Sequence, residues 1–163
     1  MRHIISLLIE NESGALSRVA GLFSARGYNI ESLNVAMTED ASLSRMTLVT
    51  NGSEQVVEQI VKQLNKLIDV VKLIEFAETT HIERELMMVK VKTSSSTRHE
   101  IRSLAEIFRG KILDVTATTY VIEVTGPSEK LDAFVAAIEP STIIEVVRSG
   151  PTGISRGEKG LSV

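Results

Sequence analysis

The sequence predicts an α+β protein built from two consecutive βαββαβ domains. Four stretches carry apolar residues at i, i+3, i+4 and i+7, which is the spacing of one face of a helix. Short apolar or alternating stretches between them are typical of strands. The same order of strands and helices occurs twice in 163 residues. In both halves the first helix ends at Arg-Gly, at 26–27 and at 109–110.

The first half reads as strand, helix, two strands, helix and strand. Its first helix carries the stripe Leu16, Val19, Ala20 and Phe23. Its second strand alternates at Leu33, Val35 and Met37, as a half-buried strand does. The predicted strands cover residues 4–9, 33–37, 43–50 and 70–75, and the helices cover about 14–26 and 53–65.

The second half repeats this order, with strands at about 85–92, 112–116, 120–125 and 143–148 and helices at about 97–109 and 128–138. The order indicates two ferredoxin-like domains, each with a four-stranded antiparallel sheet and two helices on one face. We expect the domains to be 1–77 and 78–163, with the boundary in the polar stretch 78–81. The Gly-rich tail, 149–163, is expected to be exposed and partly mobile.

A two-layer domain leaves one face of its sheet bare. We expect Met87, Val89 and Val121 to be exposed on such a face. Pairing of sheets or edges between copies would cover these residues, so the geometry favours a homodimer.

Composition narrows the classes of function. The net charge is −3, from 18 basic and 21 acidic residues, without the basic excess of most nucleic-acid-binding proteins. No aromatic side chain lies in residues 4–9 or 45–49, where RNA-binding domains of this topology stack bases. No apolar stretch is long enough to span a membrane, and no signal peptide is evident, so we expect a cytoplasmic location.

A catalytic set is not evident. Cysteine is absent, which excludes a thiol nucleophile and cysteine-ligated zinc. The three histidines, His3, His81 and His99, lie outside metal-ligand spacing of one another. We therefore predict neither a metal site nor a catalytic residue in this chain.

The loop between the first strand and the first helix allows two interpretations. In the structural one, Asn11 makes a turn and Ser13 caps the helix. In the functional one, the N–H groups of the first helical turn bind the carboxylate of a free amino acid. The side-chain oxygen of Asn11 would accept from its ammonium group, and Gly14 would let the ligand approach the backbone.

Asn29 precedes the second strand, which lies at the edge of a sheet of this type. This strand starts at the end of the sheet opposite the Asn11 loop. If two copies pair antiparallel along that edge, the Asn29 of one copy lies beside the loop of the other. A ligand site between two copies could then use groups from both.

The segments NESGALSRVAGLFSARGYNIESLNV and LSRMTLVT resemble the ACT domain, a small-molecule sensor domain. The chain resembles more closely the regulatory small subunits of acetohydroxyacid synthase, also called acetolactate synthase. That resemblance extends through HIERELMMVKV, AEIFRGKILDV, KLDAFVAAI and EVVRSGPTGISRG, and so covers nearly the whole chain. Ser13 stands where many ACT domains have proline, which fits the small-subunit family.

The resemblance implies a regulatory subunit without catalytic activity of its own. It implies a catalytic partner subunit that holds thiamine diphosphate, Mg²⁺ and FAD and condenses pyruvate with a second 2-oxo acid. The small subunit would raise that activity and make it sensitive to valine or another branched-chain amino acid. The effector-binding positions that carry over are Asn11, Gly14, Ala15, Leu16, Asn29 and Ile30.

Two other functions stay open from the residues alone. A stand-alone amino-acid sensor would lack a catalytic partner. A hydrolase of the acylphosphatase kind would use an arginine and an asparagine, and Asn11 and Arg18 are available in kind. We do not expect an effector at the matching loop of the second half, residues 93–97, because it lacks the Asn-x-x-Gly arrangement.

Overall fold

The computed structural model describes residues 1–77 and 80–163. The chain forms two compact units. The first contains Met1–Ile82 together with Pro151–Val163, and the second contains Glu83–Gly150. The predicted domains, 1–77 and 78–163, stay a prediction, but the compact units group residues 151–163 with the first unit.

The first unit has the predicted order of elements. Its antiparallel sheet has the strand order β2-β3-β1-β4, so that β2 and β4 are the edges. A buried core of aliphatic side chains and Phe23 joins the sheet to both helices. The elements are β1 (Arg2–Glu10), α1 (Ala15–Ala25), β2 (Ser32–Met37), β3 (Leu43–Asn51), α2 (Glu54–Leu64) and β4 (Val70–Glu75).

The second unit repeats this arrangement with the strand order β6-β7-β5-β8. A short strand β9 (Thr152–Ser155) pairs with β5, which begins at His81 within the first unit. The elements are β5 (His81–Lys92), α3 (Arg98–Ile107), β6 (Lys111–Val115), β7 (Thr119–Gly126), α4 (Ser128–Ala137) and β8 (Ile143–Arg148). The predicted α+β class with two βαββαβ sheets is confirmed.

The predicted exposure of Met87 and Val89 is wrong. Both side chains are 0% exposed, because they face the helices of the second unit. Their neighbours Leu86 and Met88 take the opposite face and are more than a third exposed. Val121, on that same face, is half-buried. The bare face of this sheet is therefore real, but it carries the other set of β5 side chains.

The predicted exposure of the tail is correct only in part. Residues 156–160 are exposed, whereas Pro151 and Gly153 are buried. Their burial follows from contacts with the sheet of the first unit, because Asn34 on β2 and Arg45 on β3 donate hydrogen bonds to the carbonyls of Pro151 and Gly153.

Candidate functional site

The loop after β1 is fixed by two hydrogen bonds from Asn11. Its backbone N–H donates to the carbonyl of Ser42 at 2.8 Å, and its side-chain Nδ2 donates to the carbonyl of Ala41 at 2.9 Å. The amide nitrogen is thus engaged with the turn between β2 and β3. The side-chain oxygen of Asn11 accepts no hydrogen bond from the described residues, so it is available to an ammonium group.

Helix α1 begins without a side-chain cap. The N-cap residue is Gly14, with φ +89°, and the prediction of Ser13 as the cap is wrong. Glycine adopts this left-handed conformation without steric cost, so the chain enters the helix one residue later than a serine cap requires. Among the hydrogen bonds of the described residues, none uses the N–H of Leu16 or Ser17. Two donors of the first turn are therefore open to an anion.

A guanidinium group lies over this first turn. Arg18 Nε and Nη2 donate to the two carboxylate oxygens of Asp69, at 2.5 and 2.9 Å. The third nitrogen, Nη1, lies 2.9 Å from the position that a Cβ on Gly14 would occupy. The Asp69 side chain is only 4% exposed, so the pair holds the guanidinium firmly in place.

This pair also sets the charge beside the loop. The hydrogen bond from Arg18 holds the pKa of Asp69 below its usual value, and the bond to Asp69 raises the pKa of Arg18. Both groups are therefore ionised at neutral pH. From the sequence, Arg18 was considered only as a residue of the alternative hydrolase function. Its partner Asp69 lies 51 residues away, and no local pattern connects the two.

The other residues of the predicted site have different surroundings. Ala15 is 2% exposed and its side chain belongs to the core, so only its backbone faces the loop. The side chain of Leu16 is 44% exposed. Asn29 is exposed and its carbonyl accepts from the hydroxyl of Thr50 at 2.7 Å, while Ile30 is half-buried against the core.

One chain does not bring the six residues together. Ser32 at the start of β2 is in register with Val49, and Val49 is in register with Ile4 near the start of β1. The Asn11 loop follows Glu10 at the other end of β1. About six residues of strand separate the two groups, which is about 20 Å. Asn29 and Ile30 therefore lie at the opposite end of the sheet from the loop.

Strand β2 has one free edge. It pairs with β3 only, and no other strand of the described residues lies on its outer side. Val35 and Met37 on this strand are 40% and 69% exposed. An exposed edge of this kind is a template for pairing with another strand.

Both halves of the chain match models of known families. Residues 5–72 match the ACT domain of acetohydroxyacid synthase small subunits, and residues 84–157 match the family described as small subunit of acetolactate synthase. The isozyme 3 small subunits of acetolactate synthase from Salmonella typhimurium and Escherichia coli are each 57% identical over 160 residues, which is 98% of both chains. The chain belongs to the family of acetolactate synthase small subunits.

A solved structure of that family supports the fold. The acetolactate synthase small subunit from Thermotoga maritima is 36% identical, with a TM-score of 0.89 over 98% of this chain and 99% of that one. The resemblance stated from the sequence is thereby confirmed over both halves. Family membership makes the chain a regulatory subunit of a transferase complex, and the hydrolase alternative falls away.

Other described parts of the chain offer less to a ligand. A cavity of about 460 Å³ lies away from the loop, and its polar lining includes His3, Glu54, Glu58 and Glu75. None of the six predicted site residues lines it. Within residues 1–77 and 80–163, no group of three or more His, Asp or Glu side chains is placed to hold a metal ion. No helix in those residues is long and apolar enough to cross a membrane.

Proposed function

We propose that this chain activates a catalytic acetolactate synthase subunit and makes its activity sensitive to feedback inhibition by valine. The catalytic subunit would hold the thiamine diphosphate, Mg²⁺ and FAD. The observation that carries the valine site is the open first turn of α1. It places two unused N–H groups and the Nη1 of Arg18 around Gly14.

The parts of the proposed site match the parts of valine. The carboxylate is bound by the N–H groups of Leu16 and Ser17 and faces the Arg18 guanidinium, since charge-assisted bonds of this kind are the strong ones. The ammonium group donates to the free side-chain oxygen of Asn11. The isopropyl group packs against Leu16, and full burial of a group of that size contributes about 1.5–3 kcal/mol.

The site is completed by a second copy of the chain. Antiparallel pairing of two β2 edges would bring the Asn29 and Ile30 of one copy to the Asn11 loop of the other, because these groups lie at opposite ends of the sheet. Valine would then bridge two copies and favour one dimer arrangement. Inhibition follows if that arrangement activates the catalytic subunit less well than the empty one.

The dimer is tested by an edge substitution. We expect Val35→Lys to disrupt the pairing, because lysine on an edge strand opposes strand addition. The matched control is Val71→Lys on β4, the other edge of the same sheet, where the side chain is similarly exposed at 42%. Sedimentation should show monomers for the first variant and dimers for the second. Dimers for both would contradict the proposed interface.

The function is tested by mixing the purified chain with the catalytic subunit and titrating valine while acetolactate formation is followed. We expect activation without valine and inhibition as valine is added. Leucine and isoleucine titrated in parallel rank the effectors. A chain that neither activates the enzyme nor binds it in a pull-down would be the stand-alone sensor instead.

The site is tested by Gly14→Asp. The new carboxylate would lie against Arg18 Nη1 and occupy the place of the valine carboxylate, so this variant should keep activation and lose the valine response. Gly14→Asn is the matched control for size and backbone strain, since asparagine tolerates the left-handed conformation. Gly21→Asp, in open space on the same helix, is the control for charge. Unchanged valine affinity of Gly14→Asp in calorimetry would show the site to be elsewhere.

A further inference from the structure

The two central strands of the first unit's sheet, β1 and β3, carry buried residues on both faces. Ile4, Leu8 and Val49 lie on the face opposite α1 and α2, yet they are 5%, 3% and 3% exposed. An antiparallel sheet with helices on one side ordinarily leaves the other side to solvent. Here residues 151–163, called the C-terminal segment below, lie across that second face.

Three strands hold the C-terminal segment by its backbone. Asn34 Nδ2 on β2 donates to the carbonyl of Pro151 at 2.8 Å, and Arg45 Nη2 on β3 donates to the carbonyl of Gly153 at 2.8 Å. Lys72 Nζ on β4 donates to the carbonyl of Ser162 at 2.7 Å. The segment therefore crosses the sheet from one edge to the other.

Arg45 ties the stability of the sheet to this segment. Its side chain is half-buried, and burial lowers its pKa. Its Nε donates to the hydroxyl of Ser6 at 3.0 Å. In the described part of the chain no carboxylate forms an ion pair with Arg45. Its two hydrogen-bond acceptors are the hydroxyl of Ser6 and the carbonyl of Gly153. If the segment detached, the half-buried guanidinium of Arg45 would lose one of its acceptors, and the folded state would become less stable.

Close packing makes this position specific. Gly153 is buried, and a Cβ on it would stand 2.7 Å from Cε2 of Phe76. Phe76 is itself 1% exposed and forms a small core with Ile4 and Val49. The backbone at Gly153 thus packs directly on Phe76, at a position where no side chain fits without a shift.

We propose that docking of the C-terminal segment is coupled to effector binding through Asn34 on β2, so that Asn34 and Arg45 are positioning residues for the valine response. This inference rests on the proposed function, which places the effector where two β2 edges meet. Strand β2 has one neighbour in its own sheet, and its other described polar tie is the bond from Asn34 to Pro151. An effector that fixes β2 favours the docked segment, and a docked segment favours the effector, because such coupling is reciprocal.

Amide hydrogen exchange on the full chain, read by mass spectrometry of peptides covering residues 151–156, tests the coupling. We expect saturating valine to slow exchange in this segment at least about fivefold, the lower end of ordinary allosteric coupling. In Asn34→Ala the segment should exchange faster, and valine should no longer slow it. Because the coupling is reciprocal, the Kd for valine should rise in this variant by the same factor by which valine slows exchange in the wild type. Maximal activation of the catalytic subunit without valine should not change.

The controls separate coupling from general damage. Asn65→Ala removes an exposed amide at the end of α2 and should leave both exchange and valine affinity as in the wild type. If calorimetry shows valine binding but exchange at 151–156 does not respond to it, the coupling is refuted and the proposed function stands. If valine does not bind the wild-type chain at all, the proposed function fails and this inference fails with it.

Discussion

The two units have equivalent loops between their first strand and first helix, but the side chains of these loops differ. In the second unit, the hydroxyls of Ser94, Ser96 and Thr97 bond to one another, and the N–H of Ser94 donates to Thr97 Oγ1 at 2.9 Å. In the first unit the loop has no such hydroxyl network among the described residues, and the cap is Gly14. Neither α1 nor α3 has a side-chain cap, so the fold supplies an uncapped helix N-terminus twice. The comparison teaches that the loop side chains and the neighbouring arginine, rather than the helix start itself, distinguish the proposed site of the first unit.

The charged pairs of the two units differ in the same way. Each unit has an arginine that binds a carboxylate only 4% exposed, Arg18 with Asp69 in the first and Arg148 with Glu85 in the second. In the first unit the guanidinium also reaches Gly14 at the open turn. In the second unit the remaining nitrogen of Arg148 donates to Asp132 at 2.5 Å. In the proposed function the first pair lies at the valine site, whereas all three guanidinium nitrogens of the second pair's arginine bond carboxylates of its own unit.

The largest expected effect is on stability in the second unit. Arg148→Met leaves the buried carboxylate of Glu85 without its cation, which should lower the free energy of unfolding of this unit by about 3 kcal/mol. Arg102→Met breaks an exposed pair with Glu106, where both side chains are 67% exposed, and should cost about 0.5 kcal/mol or less. Hydrogen exchange of peptides from the second unit measures both. Equal losses would remove the distinction between the two pairs.

The next effect concerns the face that is covered in the first unit and bare in the second. Gly153→Ala pushes a methyl group into the Phe76 ring and should destabilise docking of the C-terminal segment by about 1–3 kcal/mol. Gly160→Ala, in the same segment but with open space around it, should have no such effect. Hydrogen exchange at residues 151–156 reports docking. Similar exchange in both variants would mean that the contact with Phe76 does not hold the segment.

A third effect separates the two guanidinium groups at the helix starts. Arg18→Gln keeps a donor near Gly14 but removes the charge, and valine affinity should fall about tenfold, as expected for loss of a charge-assisted contact. Arg98→Gln, at the start of α3, should leave valine affinity unchanged. Calorimetry with valine measures both. Unchanged affinity in Arg18→Gln would reduce Arg18 to a structural partner of Asp69.

The smallest effect is a pH dependence of the second pair. Burial raises the pKa of Glu85, but hydrogen bonds from Arg148 and Ser128 outweigh it, and the pKa lies below its usual value. The ionised group therefore stabilises the folded state above about pH 4.3, and this contribution is lost as the pH falls through the lowered pKa. In Arg148→Met the bonds and charge of the guanidinium are lost while the burial remains, so the pKa of Glu85 rises relative to the wild type and protonation at low pH costs the fold less. The stability difference between wild type and variant should shrink by about 1 kcal/mol from pH 7 to pH 4, and a constant difference would contradict this account.

The sequence predicted what depends on local pattern. The order of elements, the buried positions Val19 and Phe23 of α1 and the edge position of the second strand follow from periodicity and topology. Leu16, the first residue of the predicted stripe, is instead 44% exposed, and Ala15 is buried. The prediction of which β5 side chains are exposed was wrong, because Leu86, Met87, Met88 and Val89 are all apolar and show no alternation of polar and apolar residues. The cap of α1 was wrong because Ser13 and Gly14 both suit a helix start.

Contacts between distant residues could not be predicted. The pair of Arg18 and Asp69 spans 51 residues, and the bond from Asn34 to Pro151 spans 117. Each depends on which sheet face or loop the chain returns to, and residue spacing carries no such information. The small-molecule site stays a proposal, and the sequence suggests it in outline because Asn11 and the glycine that opens α1 lie close together in the chain.

The return of residues 151–163 gives the chain the connectivity of an inserted domain. The second unit, Glu83–Gly150, interrupts the first and is joined to it by a peptide bond at each end. A fragment cut at residue 77 to isolate the first half would omit the backbone at Gly153, which packs on Phe76, and Phe76 forms a small core with Ile4 and Val49. Such a fragment should aggregate and be poorly soluble. A minimal version of the first unit would need residues 151–163 joined to it by a short linker that replaces the second unit.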